Sequence, residues 1–164
     1  MTATPATLSS RDAVQGGKFL TFLLAGEEYG VEILKVHEIM GMLPVTRVPR
    51  TPEYVRGVIN LRGKVIPIID LRRKFGMAAG TDETCIIVVQ VRGLSIGIAV
   101  DQVNEVLNIA TGDIEPPPSF GTEVDTAFLL GMAKAEGRVR LLLDIERVLT
   151  TSEIDQLEAT QHAA

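Results

Sequence analysis

Short apolar runs separated by glycine-containing turns make up most of the chain from about residue 19 onward. The runs are rich in Val, Ile and Leu, and the turns fall at residues 25–26, 62–63, 92–93 and 136–137. Tight hairpins need a positive φ, which glycine adopts without steric cost. The pattern therefore predicts an all-β fold. Residues 1–17, rich in Thr, Ala, Ser and Gly, have no such pattern and are predicted to be a flexible tail.

Only a few short helices are predicted. Residues 51–57 begin with an N-cap candidate followed by proline and end at glycine, which is typical of a single helical turn. Residues 70–76 repeat this arrangement of cap and glycine. A capping-box pattern at residues 152–161 predicts a C-terminal helix, so that residues 151–164 form a C-terminal helix and tail.

The chain also resembles itself. A shift of 67 residues aligns 19–39 with 86–106, and a shift of 74 residues aligns 55–75 with 129–149. Four of the nine identical positions are glycines, and the apolar alternation continues between the identical positions. Two copies of one β unit are the simplest explanation, although unrelated hairpins also share glycines and valines. Each copy would have roughly five strands, enough to close a small barrel without exposed edges.

Composition narrows the possibilities further. The 164 residues are 46% hydrophobic but only 4% aromatic, so the core must be aliphatic, and the length fits one or two small units. No apolar run reaches the roughly 18 residues that a membrane helix needs, and no signal-peptide pattern is present. We therefore expect a cytosolic chain without membrane insertion. The single cysteine, Cys85, is expected to be a buried small hydrophobe rather than a disulfide or metal ligand.

The charge is distributed unevenly. The formal net charge of −5 argues against general nucleic-acid binding. Residues 47–75, however, carry eight basic and two acidic side chains, a net charge of +6 that leaves −11 on the remainder. Only Tyr54 and Phe75 could stack bases along this strip, so we expect no nucleic-acid partner. The strip is either a solvated basic face or, as we favour, a surface that meets an acidic protein partner.

Residues that could carry catalysis are sparse. His37 and His162 have no second histidine at ligand spacing, and no serine-nucleophile motif or phosphate-binding glycine loop is present. Asp70 and Asp144 occupy equivalent positions in the two copies and could act as a carboxylate pair, but each stands where a helix N-cap is expected. We predict no metal, no cofactor and no catalytic site; a small β-barrel enzyme is the rival interpretation.

Several ordered motifs carry a family resemblance. The strings EEYG (27–30), ILKVHEI (33–39), TRVP (46–49), VRGVINLRGKVIPIIDLR (55–72) and FG (75–76) resemble the CheW-like family of bacterial chemotaxis coupling proteins. The resemblance covers about residues 17–155. It implies two five-stranded SH3-like β-barrel subdomains within a single domain at 18–155. Their approximate bounds are 18–83 and 84–150, and the two can interleave.

The resemblance also implies a function. Members of this family are non-catalytic adaptors that couple the cytoplasmic tip of chemoreceptors (methyl-accepting chemotaxis proteins) to the regulatory domain of the chemotaxis histidine kinase. We therefore expect a cytoplasmic protein associated with receptor arrays at the inner face of the membrane. The alternative is a coupling module of a related non-chemotactic pathway that controls surface motility or a second messenger.

The resemblance further implies two sets of binding residues. The expected receptor-binding residues are Val36, Glu38, Ile39, Arg62, Cys85 and Val106. The expected kinase-binding residues are Arg56 and Gly57. Glu38 and Arg62 are expected to pair, although Arg62 could be an ordinary turn residue. The aliphatic positions could equally belong to the core. Relatives often carry an aliphatic residue where this chain has Cys85.

Overall fold

The computed structural model describes residues 16–75, 83–116, 128–135, 137–149 and 153. The predicted N-terminal tail, apart from residues 16 and 17, lies outside the described residues. The predicted C-terminal helix, apart from residue 153, also lies outside them.

Strands dominate the described part of the chain, as predicted. Their bounds are β1 Gly17–Leu24, β2 Glu27–Glu32, β3 Val36–Gly41, β4 Val55–Leu61, β5 Lys64–Asp70, β6 Cys85–Val91, β7 Leu94–Val100, β8 Gln102–Ile109, β9 Ile114–Glu115, β10 Leu129–Ala135 and β11 Arg138–Leu143. The helical elements are a short helix α1, Leu71–Lys74, and two 3-10 turns at Ile33–Lys35 and Thr111–Asp113.

The strands form two mixed sheets. The first has the order β8-β1-β2-β11-β10-β9, and the second has the order β3-β6-β7-β5-β4. Neighbouring strands are antiparallel except at β11–β2 and β5–β7, which are parallel. The all-β prediction is confirmed, and the two sheets are consistent with two SH3-like barrels.

The internal repeat is confirmed strand by strand. The two shifts place β1 to β5 on β6, β7, β8, β10 and β11, and equivalent strands occur in the same order in both sheets. However, each sheet combines the first hairpin of one copy with the later strands of the other. The expectation that each copy closes its own barrel is therefore wrong. Each sheet contains strands from both sides of the approximate boundary between 18–83 and 84–150. These subdomain bounds therefore stay a prediction.

Two glycines make this exchange possible. Gly30 pairs with Leu142 and Gly97 pairs with Ile68 in the two parallel contacts between copies. A Cβ at Gly30 would come within 2.9 Å of the Leu142 side chain, and one at Gly97 within 2.5 Å of Ile68. The absence of a side chain thus lets a hairpin of one copy lie directly against a strand of the other.

The core is aliphatic, as composition predicted. One buried cluster contains residues of both sheets, including Leu20 and Phe22 from β1 and Ile87 and Val89 from β6. Each sheet also has a smaller cluster of its own, around Ile68 in the second sheet and around its repeat equivalent in the first. Because the largest cluster takes side chains from both sheets, the sheets pack together as one unit.

The local predictions for turns and helices are partly confirmed. Ala25, Arg62 and Arg92 have φ of 54°, 53° and 52°, and each precedes a glycine with positive φ, which is the pattern of type I′ hairpin turns. The Asp70 side chain accepts from the backbone N–H groups of Arg72 and Arg73 at the start of α1, so it is the predicted N-cap.

The predicted helical turn at residues 51–57 is wrong. The chain makes a tight turn there, in which the Val55 N–H donates to the Pro52 carbonyl at 3.0 Å. Strand β4 then begins at Val55 and pairs with β5. The long ladder with β5 provides more hydrogen bonds than a single helical turn could, so pairing prevails over the local capping signal.

Candidate functional site

Four of the six predicted receptor-binding residues lie on one pair of strands. Val36, Glu38 and Ile39 are in β3, the edge strand of the second sheet. Cys85 begins the neighbouring strand β6, where it pairs with Gly41. Burial alternates along β3, with Val36 and Glu38 partly buried and Ile39 exposed. This edge therefore presents both apolar and charged side chains.

Arg62 joins this edge through Glu38. Its guanidinium donates to both carboxylate oxygens of Glu38, one of them at 3.2 Å. The pairing expected from the resemblance is thus confirmed, and it links the β4–β5 turn to β3. These hydrogen bonds hold the pKa of the Glu38 carboxyl below its usual value, with smaller contributions from the charges of Arg62 and His37. The Arg62 side chain remains 69% exposed, so the pair lies at the surface.

The backbone around Arg62 does not require arginine. Its φ of 53° is in the left-handed region, which Asn or Gly adopts more readily. The turn is held instead by Asn60, whose Oδ1 accepts from the Gly63 N–H at 2.8 Å. A long cation at the first turn position is therefore not a demand of the hairpin.

The apolar members of the predicted set differ in exposure. Ile39 is 44% exposed, whereas Val36 and Cys85 are partly buried and pack against the core. The prediction that Cys85 is buried is therefore wrong. Cys85 is only partly buried because it is the first residue of β6 and pairs with the end of the edge strand β3. Val106 is 47% exposed but lies on β8 in the first sheet, where it pairs with Leu20. The described pairings do not bring Val106 to the other five; it occupies the repeat position equivalent to Ile39.

A cavity that sequence reasoning missed lies beside the Glu38–Arg62 pair. It has a volume of about 190 Å³ and is lined by His37, Leu61, Arg62, Lys64, Ile66, Val88 and Ser95. Within it, the Lys64 ammonium donates to the Ser95 hydroxyl at 3.3 Å. These residues come from β3, β4, β5, β6 and β7 and from the β4–β5 turn, so their proximity depends on sheet order. The repeat alignment was the one sequence signal that could have drawn attention to them.

Gly57, predicted to face the kinase, has a clear structural role. Its φ is 144°, and a Cβ there would lie 2.2 Å from the Thr46 carbonyl oxygen. The close approach permits the bridge between Thr46 and Val58, which holds the β3–β4 connection against β4. The repeat-equivalent Gly131 similarly lies against Glu115.

Arg56, the other residue predicted to face the kinase, is part of an ionic network. It donates to Glu83, whose side chain is only 1% exposed. Arg72 lies 3.8 Å from the same carboxylate and donates to Asp101 at 2.7 Å. Burial, together with the charge of Asp70, raises the pKa of the Glu83 carboxyl, although the two arginines oppose this. Arg56 therefore combines a structural contact with partial exposure.

A larger cleft of about 740 Å³ adjoins Arg56. Its charged lining residues are Arg47, Arg50, Glu53, Arg56, Asp70 and Arg73. Arg73 pairs with Glu53 at 3.4 Å, whereas Arg47 and Arg50 are exposed and form no ion pair with any residue that the structure describes. The basic strip predicted from the sequence is thus partly neutralised by internal pairs and retains positive charge at this cleft.

Neither metal nor membrane features were found in the described ranges. No group of three or more His, Cys, Asp or Glu residues there could hold a metal ion. No helix among the described residues is long and apolar enough to cross a membrane.

Three comparisons place this geometry among known proteins. The CheW-like domain matches residues 18–153. The chain is 42% identical to "Chemotaxis protein CheW" of Klebsiella aerogenes over 141 residues, 85% of each chain. It is 36% identical to the protein of the same name from Rhizobium meliloti over 150 residues, 90% of this chain and 97% of that one.

A solved structure agrees with the sequence comparisons. The scaffolding protein TtCheW from Thermoanaerobacter tengcongensis superposes with a TM-score of 0.76 at 39% identity, covering 85% of this chain and 96% of that chain. The chain belongs to the CheW-like domain family.

Proposed function

We propose that this chain is a non-catalytic chemotaxis adaptor that couples chemoreceptors to the chemotaxis histidine kinase. The observation that carries the proposal is the surface ion pair of Glu38 and Arg62 beside the exposed Ile39 on an edge strand, in a chain similar to proteins named for chemotaxis. Those names favour chemotaxis over a related motility or second-messenger pathway.

In this proposal the receptor binds at the β3–β6 edge. The cytoplasmic tip of a chemoreceptor is a helical hairpin, which would place aliphatic side chains against Val36, Ile39 and Cys85. The Glu38–Arg62 pair lies at the rim, where charges set orientation and association rate more than affinity. Val106 would contribute only through contacts of the hairpin with the first sheet.

The kinase would bind elsewhere, at the cleft next to Arg56 and Gly57. The positive charge of Arg47 and Arg50 fits an acidic surface of the kinase regulatory domain. The close approach of the Gly57 backbone to the Thr46 carbonyl would hold this surface in shape. Simultaneous binding of receptor and kinase would shift the conformational populations of the kinase, so catalysis belongs to the partner. The adaptor would act in the cytoplasm, at receptor arrays on the inner face of the membrane.

Reconstitution tests this proposal directly. Membranes that contain a chemoreceptor from the same organism are combined with the cognate kinase, with and without this chain. Autophosphorylation of the kinase should become dependent on the receptor and its attractant only when the chain is present. If adding the chain gives the kinase no receptor dependence, the proposed function is wrong.

A further inference from the structure

The cavity beside the Glu38–Arg62 pair is lined by a second cation, the ammonium of Lys64. Lys64 is exposed, and its ammonium donates to Ser95, which also accepts from Gln90 at 3.2 Å. No carboxylate among the described residues forms an ion pair with Lys64. The hydroxyl of Ser95 is buried, with the residue only 4% exposed, and its hydrogen is free to be donated to an acceptor in the cavity.

The equivalent place in the first sheet contains a carboxylate. A shift of 67 residues places Ser95 on Glu28. The Glu28 carboxylate lies 3.1 Å from Arg140 and 3.8 Å from Arg138, and it accepts from Asn104 at 3.2 Å. Its side chain is 9% exposed, and that of Arg140 is 2% exposed. The first sheet therefore closes this position with an internal ion-pair network.

The second sheet keeps one part of that network and lacks the rest. Lys64 is the equivalent of Arg138, so the cation is retained, whereas the carboxylate of Glu28 is replaced by the hydroxyl of Ser95. At the two remaining positions the second sheet has His37 where the first has Asn104, and Ile66 where the first has Arg140. Replacing the buried arginine and its carboxylate by shorter groups leaves space, which the structure shows as the cavity of about 190 Å³.

We propose that this cavity binds the carboxylate of an Asp or Glu side chain on the receptor's helical hairpin. Lys64 forms the ion pair, and the Ser95 hydroxyl donates a hydrogen bond, so that the partner supplies the group that Glu28 supplies in the first sheet. The inference rests on the proposed function, because the cavity adjoins the edge assigned to the receptor. It adds Lys64 and Ser95 to the receptor-binding residues.

Binding of the full chain to a soluble hairpin fragment of a chemoreceptor from the same organism tests the inference. Calorimetric titration of Lys64→Gln should give a Kd about tenfold weaker than that of the unaltered chain, with a smaller dependence on salt. The matched control is Arg138→Gln, the equivalent position in the first sheet, which should bind the fragment with unchanged affinity. Thermal unfolding of both variants verifies that they fold.

A charge swap identifies the partner group. Each acidic residue of the hairpin fragment is replaced in turn by lysine, and one replacement should restore affinity to Lys64→Glu in a double-mutant cycle. Equal affinity and salt dependence for the unaltered chain and Lys64→Gln would overturn the inference alone. The same holds if Arg138→Gln weakens binding as much as Lys64→Gln does. If the unaltered chain does not bind the fragment, the proposed function fails too.

Discussion

The two copies of the β unit agree where the backbone needs space and differ where charges meet. Gly57 and Gly131 stand at equivalent positions, and each lets a carbonyl of the preceding connection approach closely, that of Thr46 or of Glu115. A Cβ would come within 2.2 Å of the first and 2.5 Å of the second. The glycine spacing is therefore a property of the fold and says little about binding.

The two junctions between the copies, at the ends of the parallel pairs β5–β7 and β11–β2, differ in their charged side chains. On one side Arg72 pairs with Asp101 and approaches the buried Glu83. The repeat equivalents of Arg72 and Asp101 are Glu146 and Leu34. Glu146 forms a half-exposed pair with a lysine, and Leu34 is 95% exposed. One junction thus has buried or mostly buried ion pairs, whereas the other has a single half-exposed ion pair beside an exposed leucine.

The largest expected effect tests the shared glycines. Gly57→Ala should reduce the free energy of unfolding by about 3 kcal/mol, because the new Cβ meets the Thr46 carbonyl and the φ of 144° disfavours alanine. Gly131→Ala should reduce the free energy of unfolding by less, because its new Cβ meets the Glu115 carbonyl but its φ is outside the left-handed region. Urea unfolding measures both. Gly41→Ala is the control, since nothing lies within 4 Å of its added Cβ; equal stability of all three variants would contradict the close-approach argument.

The next effect separates the two junctions. Arg72→Ala should cost about 2 kcal/mol, because it removes the ion-pair partner of Asp101 and one of the two arginines near the buried Glu83, which keeps Arg56. Glu146→Ala, the equivalent substitution at the other junction, should cost less than about 1 kcal/mol, since its ion pair is half-exposed. Chemical denaturation gives both values. Similar losses at the two positions would show that the junctions do not differ in this way.

Arg62 distinguishes binding from architecture. Arg62→Ala should weaken receptor association about tenfold while leaving the thermal transition nearly unchanged, because the ion pair is exposed and alanine meets the same left-handed φ. Arg62→Gly should bind as weakly but unfold at a higher temperature, because glycine relieves the turn. Titration with the hairpin fragment and thermal scans measure these effects. A large loss of stability in Arg62→Ala would assign the residue to architecture instead.

The smallest effect concerns pH. The pKa of Glu83 is raised in the fold, so the unfolded chain releases this proton at lower pH than the folded chain does. Its contribution to stability is fully present below the unfolded pKa and declines as pH rises toward the raised value. Compared with Glu83→Gln, the unaltered chain should therefore lose stability on going from about pH 4 upward. Thermal midpoints across this range measure the difference; a pH-independent difference would be the contrary result.

Local signals predicted the strands, the hairpin turns and the cap at Asp70 correctly, because each depends on a few neighbouring residues. The same reasoning placed a helical turn at residues 51–57, where pairing with β5 prevails. It could not place Lys64 beside Ser95, since these residues are brought together by the parallel pairing of β5 and β7. The resemblance places Val106 in the same receptor-binding set as Ile39, whereas the two residues lie on different sheets.

By itself, the sequence determined the all-β class, the repeat and the aliphatic core, because hydrophobic period and turn glycines act locally along the chain. Its ordered motifs also carried the family resemblance. Only the tertiary structure decided which copy supplies which hairpin, since a parallel contact between distant strands depends on the fit of whole surfaces and not on local pattern. The same exchange decided where charges are buried in pairs and where, as at Lys64, a cation contacts a hydroxyl and forms no ion pair among the described residues.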